Sequence, residues 1–461
     1  MKKPMNLFTL IWVASAFSIS MRNLPLIAKT QLQMFFFAVV AILFFFIPIA
    51  LTSAELATGW PKMGGIVIWV KEAFGKKWGL VAIWLQWVYM NIGVIAMLYF
   101  ISGSIAYTFA PHLVENLKYL IPIILVIIWL FTYLNLKGIS ISSKISKIFF
   151  IIGILTPAII LIILGALHLL EGGGIKMNFS ASYLPDFKHF STIVLLVGFM
   201  RTFGGIEGAA VHANSVDNPQ RNYPIAIGFV VVMSILINVL GAFSLSIALP
   251  QDDIILIGGV MKAFTFYLSK YNLQTLVPIL GVLAAIGQIG GFSTWIGGPV
   301  KGLLETAKEG ELPKFFQKVN DRGAPRNLLL IQAVIISISS SLFLLLATSV
   351  NMSFWISVAL SMMVYFTMYI LMLISCLYLR YTKPEVARKF KIPFKNVGVC
   401  IVTISGIFIM LFGFFIALMP PSQLETQNYI KYIAILLTSI AVIYTIPFII
   451  HKLKNDSWKI E

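Results

Sequence analysis

The chain has 461 residues, of which 59% are hydrophobic and 11% are charged, and its mean hydropathy is +0.93. No soluble domain can bury so large an apolar fraction in one core, so this composition excludes a soluble protein and indicates an integral membrane protein. The formal net charge of +17 would suit a nucleic-acid partner, but the distribution of the basic residues described below argues against one.

Twelve apolar runs follow one another along the chain, and each is long enough to cross about 30 Å of hydrocarbon. We number these runs span 1 to span 12. They lie near residues 7–28, 33–54, 79–109, 119–136, 147–170, 190–211, 224–249, 273–300, 327–350, 353–379, 397–419 and 430–450. The sequence therefore predicts an all-α polytopic membrane protein with about twelve transmembrane helices, of which spans 3 and 8 are long.

Span 1 is interrupted by polar residues near its middle. The interrupting residues are Ser18, Ser20, Arg22, Asn23 and Pro25. The preceding Ala14-Ser15-Ala16 imitates the cleavage site of a signal peptide. Cleavage there would remove half of the interrupted helix, so we interpret span 1 as an uncleaved transmembrane segment.

Span 6 breaks at Gly204 and Gly205, carries Glu207 and ends through Asn218 and Pro219. Glycines in mid-span free backbone groups that hydrocarbon cannot satisfy, so such a break persists where it lines a cavity or binds a ligand. The alternative is close helix packing at small residues. Because two discontinuous helices stand in matching positions five spans apart, the pattern points to a secondary transporter with its site at the bilayer midplane.

We predict a single transmembrane domain, 1–461, built from two repeats of opposite orientation. Residues 7–170 form the first repeat, 190–380 form the second, and 397–450 add two helices. An odd number of helices in each repeat inverts the second one relative to the first.

The basic residues are unevenly divided between the two sides of this topology. Segments on the side of both termini hold 25 of the 34 Lys and Arg residues, and the loops on the other side hold seven. Loops rich in Lys and Arg face the cytoplasm, so both termini are predicted to be cytoplasmic. The basic charge is thus a topology signal that faces anionic lipid, and we expect no nucleic-acid partner.

Four long motifs give the chain a specific resemblance. They are IPIALTSAELATGWPKMGGIVIWV at 47–70, MLYFISGSIAY at 97–107, GGIEGAAVHANSVDNPQRNYP at 204–224 and NMSFWISVALSMMVYFTMYI at 351–370. With these motifs the chain resembles the amino acid, polyamine and organocation superfamily of transporters, and within it the glutamate:GABA antiporter branch. The resemblance implies a five-plus-five inverted-repeat fold in which spans 1 and 6, unwound at mid-membrane, hold an amino acid.

A zwitterionic amino acid in a low-dielectric site needs donors for its carboxylate and acceptors for its ammonium group. Backbone amides at the break in span 1 would bind the carboxylate, since a half-helix N-terminus favours an anion. The predicted residues are Ser18, Ile19, Ser20, Met21 and Arg22 on span 1, and Arg201, Phe203, Gly204 and Gly205 on span 6. Carbonyls of the span 6 group would accept from the ammonium group, and Phe203 would cover the ligand. The alternative for the serines is a hydroxyl bonded back to its own helix.

Two arginines at membrane depth are further functional candidates, because ionisable residues there are costly. If Arg22 and Arg201 face the site, they would suit an acidic side chain, since arginine binds a carboxylate in a bidentate way. The alternatives are that Arg22 extends outward to the membrane surface with Lys29, and that Arg201 pairs with Glu207.

Aromatic residues complete the predicted pocket. Tyr365 and Tyr369 are four residues apart and share one face of span 10. They match tyrosines that line the substrate path in glutamate:GABA antiporters, and their alternative role is interior packing with a satisfied hydroxyl. Trp295, Gln288 and Tyr89 are second-rank candidates, which we expect to serve in packing rather than in contact with the ligand.

Three titratable residues are candidates for gating or proton transfer. Glu207 is next to the break in span 6 and must be neutral or paired, so it would carry a proton or latch the gate, unless it is a fixed structural partner. Glu55 ends span 2 in the superfamily motif and is expected to be a cytoplasmic-side structural or gating residue. His212 lies near the cytoplasmic mouth and titrates in a useful range, although a lone histidine is often structural.

The chain also departs from the superfamily pattern: Ser18-Ile19-Ser20 replaces a glycine-serine-glycine of many members, and Arg201 stands where some members place a gating aromatic. A lysine that replaces a sodium site in some members would align with Gly153, and an acidic residue found on span 8 of glutamate:GABA antiporters would align with Gly291. The departure at Gly291 puts an identical choice of substrate in doubt. Cys376 and Cys400 have no metal-ligand spacing, and catalytic or phosphate-binding motifs are missing, so we expect no metal, no cofactor and no enzyme activity.

Together these features predict an amino acid exchanger of the glutamate:GABA antiporter type in a bacterial-type inner membrane. Its partners would be a small amino acid substrate and the lipid bilayer, and its oligomeric state is left open. Within the transporter class, the alternative is a proton-coupled importer of a small neutral amino acid or amine. A channel is the alternative from a different class, and it would need a continuous polar path.

Overall fold

Helices joined by turns and loops make up the described chain. The computed structural model describes residues 6–61, 64–137, 143–179, 182–205, 216–347, 349–422, 424 and 428–459. Within these ranges, eleven helices are long and apolar enough to cross a membrane, and a shorter apolar helix covers Phe190–Thr202. The prediction of an all-α membrane protein with about twelve transmembrane helices is confirmed.

The elements follow one order twice along the chain. The long spans are Leu7–Ala28, Gln33–Gly59, Lys76–Phe109, Leu117–Leu136, Lys147–Leu170, Arg221–Ala248, Gln274–Glu311, Arg326–Leu346, Val350–Thr382, Lys395–Ile416 and Tyr429–Lys452, and span 6 is Phe190–Thr202. A short helix, Ile66–Phe74, joins spans 2 and 3, and another, Gly259–Ser269, joins spans 7 and 8. In both halves a broken span is followed by a span, a short helix, a long span and two more spans. This order supports the two repeats, whose boundaries stay a prediction.

The break in span 1 lies at two residues with extended backbone. The first half-helix, Leu7–Ser18, ends before Ile19, which has φ −107° and ψ 127°, and Ser20 follows with φ −156° and ψ 134°. A 3₁₀ turn and a short helix, Leu24–Ala28, then complete the span, with Pro25 in the first helical turn, where its missing N–H costs nothing. The predicted discontinuity of span 1 is therefore present.

Span 6 stops in the middle of the protein as well. Its helix ends at Thr202, and Gly205 has φ +99°, a conformation that glycine adopts without strain. Residues 206–215 lie outside the described residues, and the chain continues as a helix from Pro219. The predicted discontinuity therefore begins at residue 203.

Span 3 is at the centre of the bundle and span 12 is at its edge. The apolar stretch of span 3 is 78% buried and that of span 12 is 17% buried. Spans 8 and 10 both pack along span 3, whereas span 1 packs against span 7. The two additional helices, spans 11 and 12, are 39% and 17% buried and thus lie outside the centre, whereas the apolar stretch of the broken span 1 is 82% buried.

Contacts between loops join the predicted cytoplasmic segments at one end of the bundle and the predicted outer loops at the other end. Ion pairs join the predicted cytoplasmic segments to one another: Lys71–Glu309 at 2.7 Å, Lys383–Glu72 at 2.8 Å and Lys454–Glu311 at 2.6 Å. On the other end, the hydroxyl of Tyr271 donates to Glu171 at 2.8 Å, which joins two predicted outer loops. This division supports cytoplasmic termini.

Spans 5 and 8 approach each other backbone to backbone at Gly153 and Gly287. A Cβ atom on Gly153 would lie 2.4 Å from backbone atoms of Gly287 and from the carbonyl oxygen of Leu283. No side chain fits in that space without separating the two helices. This close approach explains sterically why position 153 is glycine rather than the lysine found in some family members.

We expect Gly153→Ala to destabilise the protein by about 1–3 kcal/mol or more, because the extra methyl group forces spans 5 and 8 apart. The measurement is the midpoint of thermal unfolding of the protein in detergent. Gly228→Ala is the matched control, since a Cβ on Gly228 meets nothing within 4 Å. Equal midpoints for the two variants would contradict the close contact.

Candidate functional site

Ser20 and Arg22, at the break in span 1, are held by a glutamine of span 8. Gln288 donates through Nε2 to the hydroxyl of Ser20 at 2.9 Å and accepts from Nη1 of Arg22 at 3.2 Å. The guanidinium group of Arg22 also lies over the ring of Trp295, 5.3 Å from the ring centre. The break in span 1 is therefore fixed from the side of span 8 by hydrogen bonds and by a cation–π contact.

Arg201, in the last turn of span 6, bonds to spans 10 and 3. Its Nη1 donates to the hydroxyl of Ser361 at 2.5 Å, and its Nη2 donates to the carbonyl of Gly93 at 3.2 Å. The side chain is only 4% exposed. Arg201 is thus held at both guanidinium nitrogens by neutral partners.

The structure excludes the outward-facing interpretation of Arg22. Arg22 is 3% exposed and points to Gln288 and Trp295, whereas Lys29 bonds to the carbonyl of Gln251 at 3.3 Å. That alternative is wrong because the inward contacts replace water around the guanidinium group. The proposed pairing of Arg201 with Glu207 cannot be placed, since Glu207 and His212 lie outside the described residues. Their roles stay predictions.

The two tyrosines of span 10 contact the break in span 6 directly. The amide of Gly205 donates to the hydroxyl of Tyr365 at 2.6 Å and to that of Tyr369 at 3.3 Å. The two hydroxyls also bond to each other, and Tyr89 of span 3 stacks on Tyr365 with 3.8 Å between ring centres. These tyrosines are fully buried, and they tie span 10 to the unwound backbone of span 6.

Gly204 and Phe203, the two residues before Gly205, are closely packed against neighbouring spans. A Cβ on Gly204 would lie 2.7 Å from Cε1 of Tyr365, so a side chain at this position would displace the tyrosine ring. Phe203 is fully buried and stacks on Phe46 of span 2, with 5.3 Å between ring centres. The predicted role of Phe203 as a cover over the ligand stays a prediction.

The backbone at the break in span 1 is only partly engaged. The amide of Ile19 donates to the carbonyl of Ser15 at 2.8 Å, and the amide of Arg22 donates to the hydroxyl of Ser20 at 3.4 Å. A ligand carboxylate could take these two amides only by displacing those bonds. Ser20 and Met21 are therefore the better placed donors of the predicted set.

Several buried polar atoms at and beside the breaks have no hydrogen-bond partner within the described part of the chain. They include Nε of Arg22, Nε of Arg201, Nε1 of Trp295, Oγ of Ser18 and Oδ1 of Asn23. Buried polar groups are nearly always hydrogen-bonded, and exceptions need an explanation such as a ligand. Three of these five atoms are donors only and Oδ1 of Asn23 is an acceptor only, so unpaired donors outnumber unpaired acceptors in this set.

Glu55 lies apart from this site, in a charge cluster at the cytoplasmic ends of spans 2 and 10. One carboxylate oxygen accepts from Nη1 of Arg380 at 2.6 Å, and the other accepts from the amide of Ile392 at 2.8 Å. Nε of Arg388 lies 3.7 Å from the same carboxylate, which is 1% exposed. The position agrees with the expected cytoplasmic side, and the gating role stays a prediction.

Three residues ranked second from the sequence lie beside the residues ranked first. Gln288, Trp295 and Tyr89 contact Arg22, Ser20 or Tyr365, and their expected role in packing rather than in ligand contact stays a prediction. Ser361 was missed, although it precedes Tyr365 by four residues and so shares its helix face. The carbonyl of Gly93 has no signal in the sequence, because every residue carries one.

We expect Tyr369→Ala to weaken the apparent affinity for substrate more than Tyr107→Ala does. Tyr369 contacts the break in span 6, whereas Tyr107 bonds to Thr265 at 3.3 Å near the outer end of span 3. The measurement is competition of unlabelled substrate against a bound labelled tracer. Equal effects of the two substitutions would count against this site.

Comparison with known proteins gives matches over nearly the whole chain. The family model described as "Amino acid permease" matches residues 5–441. A glutamate/gamma-aminobutyrate antiporter of Lactococcus lactis subsp. lactis is 33% identical over 98% of this chain and 91% of its own length. An uncharacterised transporter of Legionella pneumophila is 36% identical over 99% of this chain and 98% of its own. A cadaverine/lysine antiporter of Escherichia coli K12 is 25% identical over 62% of each chain.

Proposed function

The chain belongs to the amino acid permease family, and we propose that it is an exchanger of the glutamate/γ-aminobutyrate antiporter type that works by alternating access. It is a multi-pass protein of the bacterial inner membrane. One observation carries the proposal: the breaks of spans 1 and 6 both lie in one buried polar cluster, bonded to spans 3, 8 and 10. Broken helices that meet at mid-membrane are the binding site of many secondary transporters.

The proposed binding mode uses the backbone of both breaks. Amides of Ser20 and Met21 would bind the carboxylate of the amino acid, and carbonyls of Phe203 and Gly204 would accept from its ammonium group. The carbonyl of Arg201 already accepts from the amide of Gly204 at 3.2 Å. Spans 1 and 6 would then move together when the ligand is bound.

Burial favours alternating access over a channel. Ser20 is 7% exposed, and Arg22 and Arg201 are less exposed than that. A channel needs a polar path that is open to both sides. Residues buried in this way fit a carrier that opens its site to one side at a time.

Counterflow in proteoliposomes tests the proposal. Purified protein is reconstituted into vesicles loaded with unlabelled glutamate, with γ-aminobutyrate or with buffer alone, and uptake of labelled glutamate is followed. An exchanger takes up label fast only into vesicles loaded with an amino acid. Uptake into buffer-loaded vesicles that follows a proton gradient would favour the importer, and flux proportional to an imposed voltage would favour the channel.

A further inference from the structure

Two positive side chains share the site, and the described residues supply no carboxylate for them. None of the ion pairs between described residues includes Arg22 or Arg201, although both side chains are at most 4% exposed. An unpaired charge away from water is costly, so arginines buried at membrane depth are candidates for a site that binds substrate. Both guanidinium groups also lie beside Trp295: Arg22 lies over its ring, and a Cβ on Gly93 would meet both that ring, at 2.7 Å, and Nη2 of Arg201, at 3.2 Å.

Resting on the proposed function, we infer that Arg22 and Arg201 form a subsite for a second, side-chain carboxylate of the substrate. The preferred ligand would then be a dicarboxylic amino acid that carries a net negative charge. Arg22 would contact this carboxylate, and Arg201 would act as a positioning residue that adds positive charge beside it.

The hydrogen bonds separate the two roles. Arg22 has five N–H donors, and the structure pairs one of its nitrogens, Nη1, with Gln288. Its Nε is buried and has no partner among the described residues, and Trp295 under the guanidinium plane leaves the edge of the group available. An arginine edge matches the two oxygens of a carboxylate. Nε1 of Trp295, which also meets no acceptor among the residues that the structure describes, is a further donor for the same anion.

Arg201 is less free to bind a ligand. Both of its terminal nitrogens are engaged, one by Ser361 and the other by Gly93, and Nε has no partner in the described part of the chain. Its charge acts on a nearby carboxylate through space, and this attraction is strong where water is excluded. A lysine at 201 would therefore keep much of the effect, whereas a lysine at 22 would lose the paired N–H groups that hold a carboxylate.

The subsite divides substrates by charge. A dicarboxylic amino acid would bind through the breaks of spans 1 and 6 and would neutralise the arginines with its second carboxylate. A neutral amino acid of the same size would leave both guanidinium groups unpaired, so it should bind more weakly. Glutamate and glutamine are the matched pair of probes, since they differ in this one group.

The first experiment compares glutamate and glutamine as competitors of a bound labelled tracer at fixed pH, in Arg22→Gln, Arg22→Lys, Arg201→Gln and Arg201→Lys. We expect Arg22→Gln and Arg201→Gln each to lose at least about tenfold in affinity for the ligand glutamate, or about 1.4 kcal/mol. Affinity for glutamine should change less than about twofold, or about 0.4 kcal/mol. Arg201→Lys should recover most of the loss and Arg22→Lys should not. Arg326→Gln, an exposed arginine at the start of span 9, is the control.

A second variant adds a carboxylate instead of removing a charge. Gly291 is three residues after Gln288 and four before Trp295, so it lies on the face of span 8 that contacts Arg22. The nearest described atom to a Cβ there is Cε of Met97, a flexible side chain, at 3.4 Å. Gly291→Glu should therefore fold, and its own carboxylate should lower the preference for glutamate over glutamine.

The outcomes separate the subsite from the proposed function. If wild-type protein shows counterflow but does not prefer glutamate to glutamine, or if the arginine variants lose both ligands equally, the subsite is refuted and the exchanger stands. An unchanged preference in Gly291→Glu would also count against the subsite. If no amino acid drives counterflow in the wild type, the proposed function itself fails.

Discussion

A Gly205→Val variant is expected to lose amino acid exchange altogether while it is still expressed and inserted in the membrane. Gly205 has φ +99°, and a β-branched residue in this region is a backbone outlier that costs on the order of 1–3 kcal/mol. The relief of that strain would pull the amide of residue 205 away from Tyr365 and Tyr369, which now accept from it at 2.6 and 3.3 Å. The branched side chain would also crowd the carbonyls proposed to hold the ammonium group.

Gly172→Val is the matched control for this variant. Gly172 also has a positive φ, +70°, but a Cβ there meets nothing within 4 Å, and the residue lies in an exposed outer loop. The control therefore carries the same kind of backbone strain without touching the site. Counterflow is the measurement for both variants, with the yield of folded protein in detergent as the second readout. Native exchange in Gly205→Val would remove the break in span 6 from the site.

Glu55→Ala should cause the largest loss of stability among the single substitutions considered for this protein. The variant leaves Arg380 and Arg388 buried beside each other without their shared carboxylate, and it frees the amide of Ile392. Removal of one partner from a buried ion pair typically costs about 3–5 kcal/mol. We expect the thermal midpoint in detergent to fall steeply, and Glu55→Gln, which keeps an acceptor but not the charge, to fall less.

An exposed ion pair in the same part of the protein provides the comparison. Glu305 and Lys308 are 2.9 Å apart, with side chains 68% and 46% exposed, and such surface pairs contribute about 0–1 kcal/mol. Glu305→Ala should therefore leave the midpoint nearly unchanged. If Glu55→Ala shifts the midpoint no more than Glu305→Ala does, the cluster around Glu55 does not stabilise the cytoplasmic end of the bundle.

The number and place of the spans could be predicted because the thickness of hydrocarbon sets the length of an apolar run. The break in span 1 was predictable too, since Pro25 and the polar residues before it are local signals. The hydrogen-bond partners of Arg22 and Arg201 could not be predicted. Arg22 meets Gln288, 266 residues later, and a contact of that kind depends on how whole spans pack.

The roles of small residues were also hidden in the sequence. From the sequence, Gly153 stood out only because some family members have a lysine there. In the structure it packs directly against the backbone of span 8. Likewise, Ser361 and Gly93 contribute a hydroxyl and a carbonyl, groups that are common in any span. Their role became visible only from their hydrogen bonds to Arg201 in the structure. Sequence patterns indicate which residues are unusual, and they leave out the ordinary residues that bind them.

The two buried guanidinium groups would limit the loss of amino acid that occurs when a carrier returns across the membrane empty. A carrier that returned without cargo would have to pass through its closed state with both charges unneutralised by any described residue. An unpaired charge held away from water in this way is costly. The empty return step would then be far slower than the loaded one. Cells could therefore keep this protein in their membrane without losing an amino acid gradient through it whenever one of the two exchanged solutes is scarce.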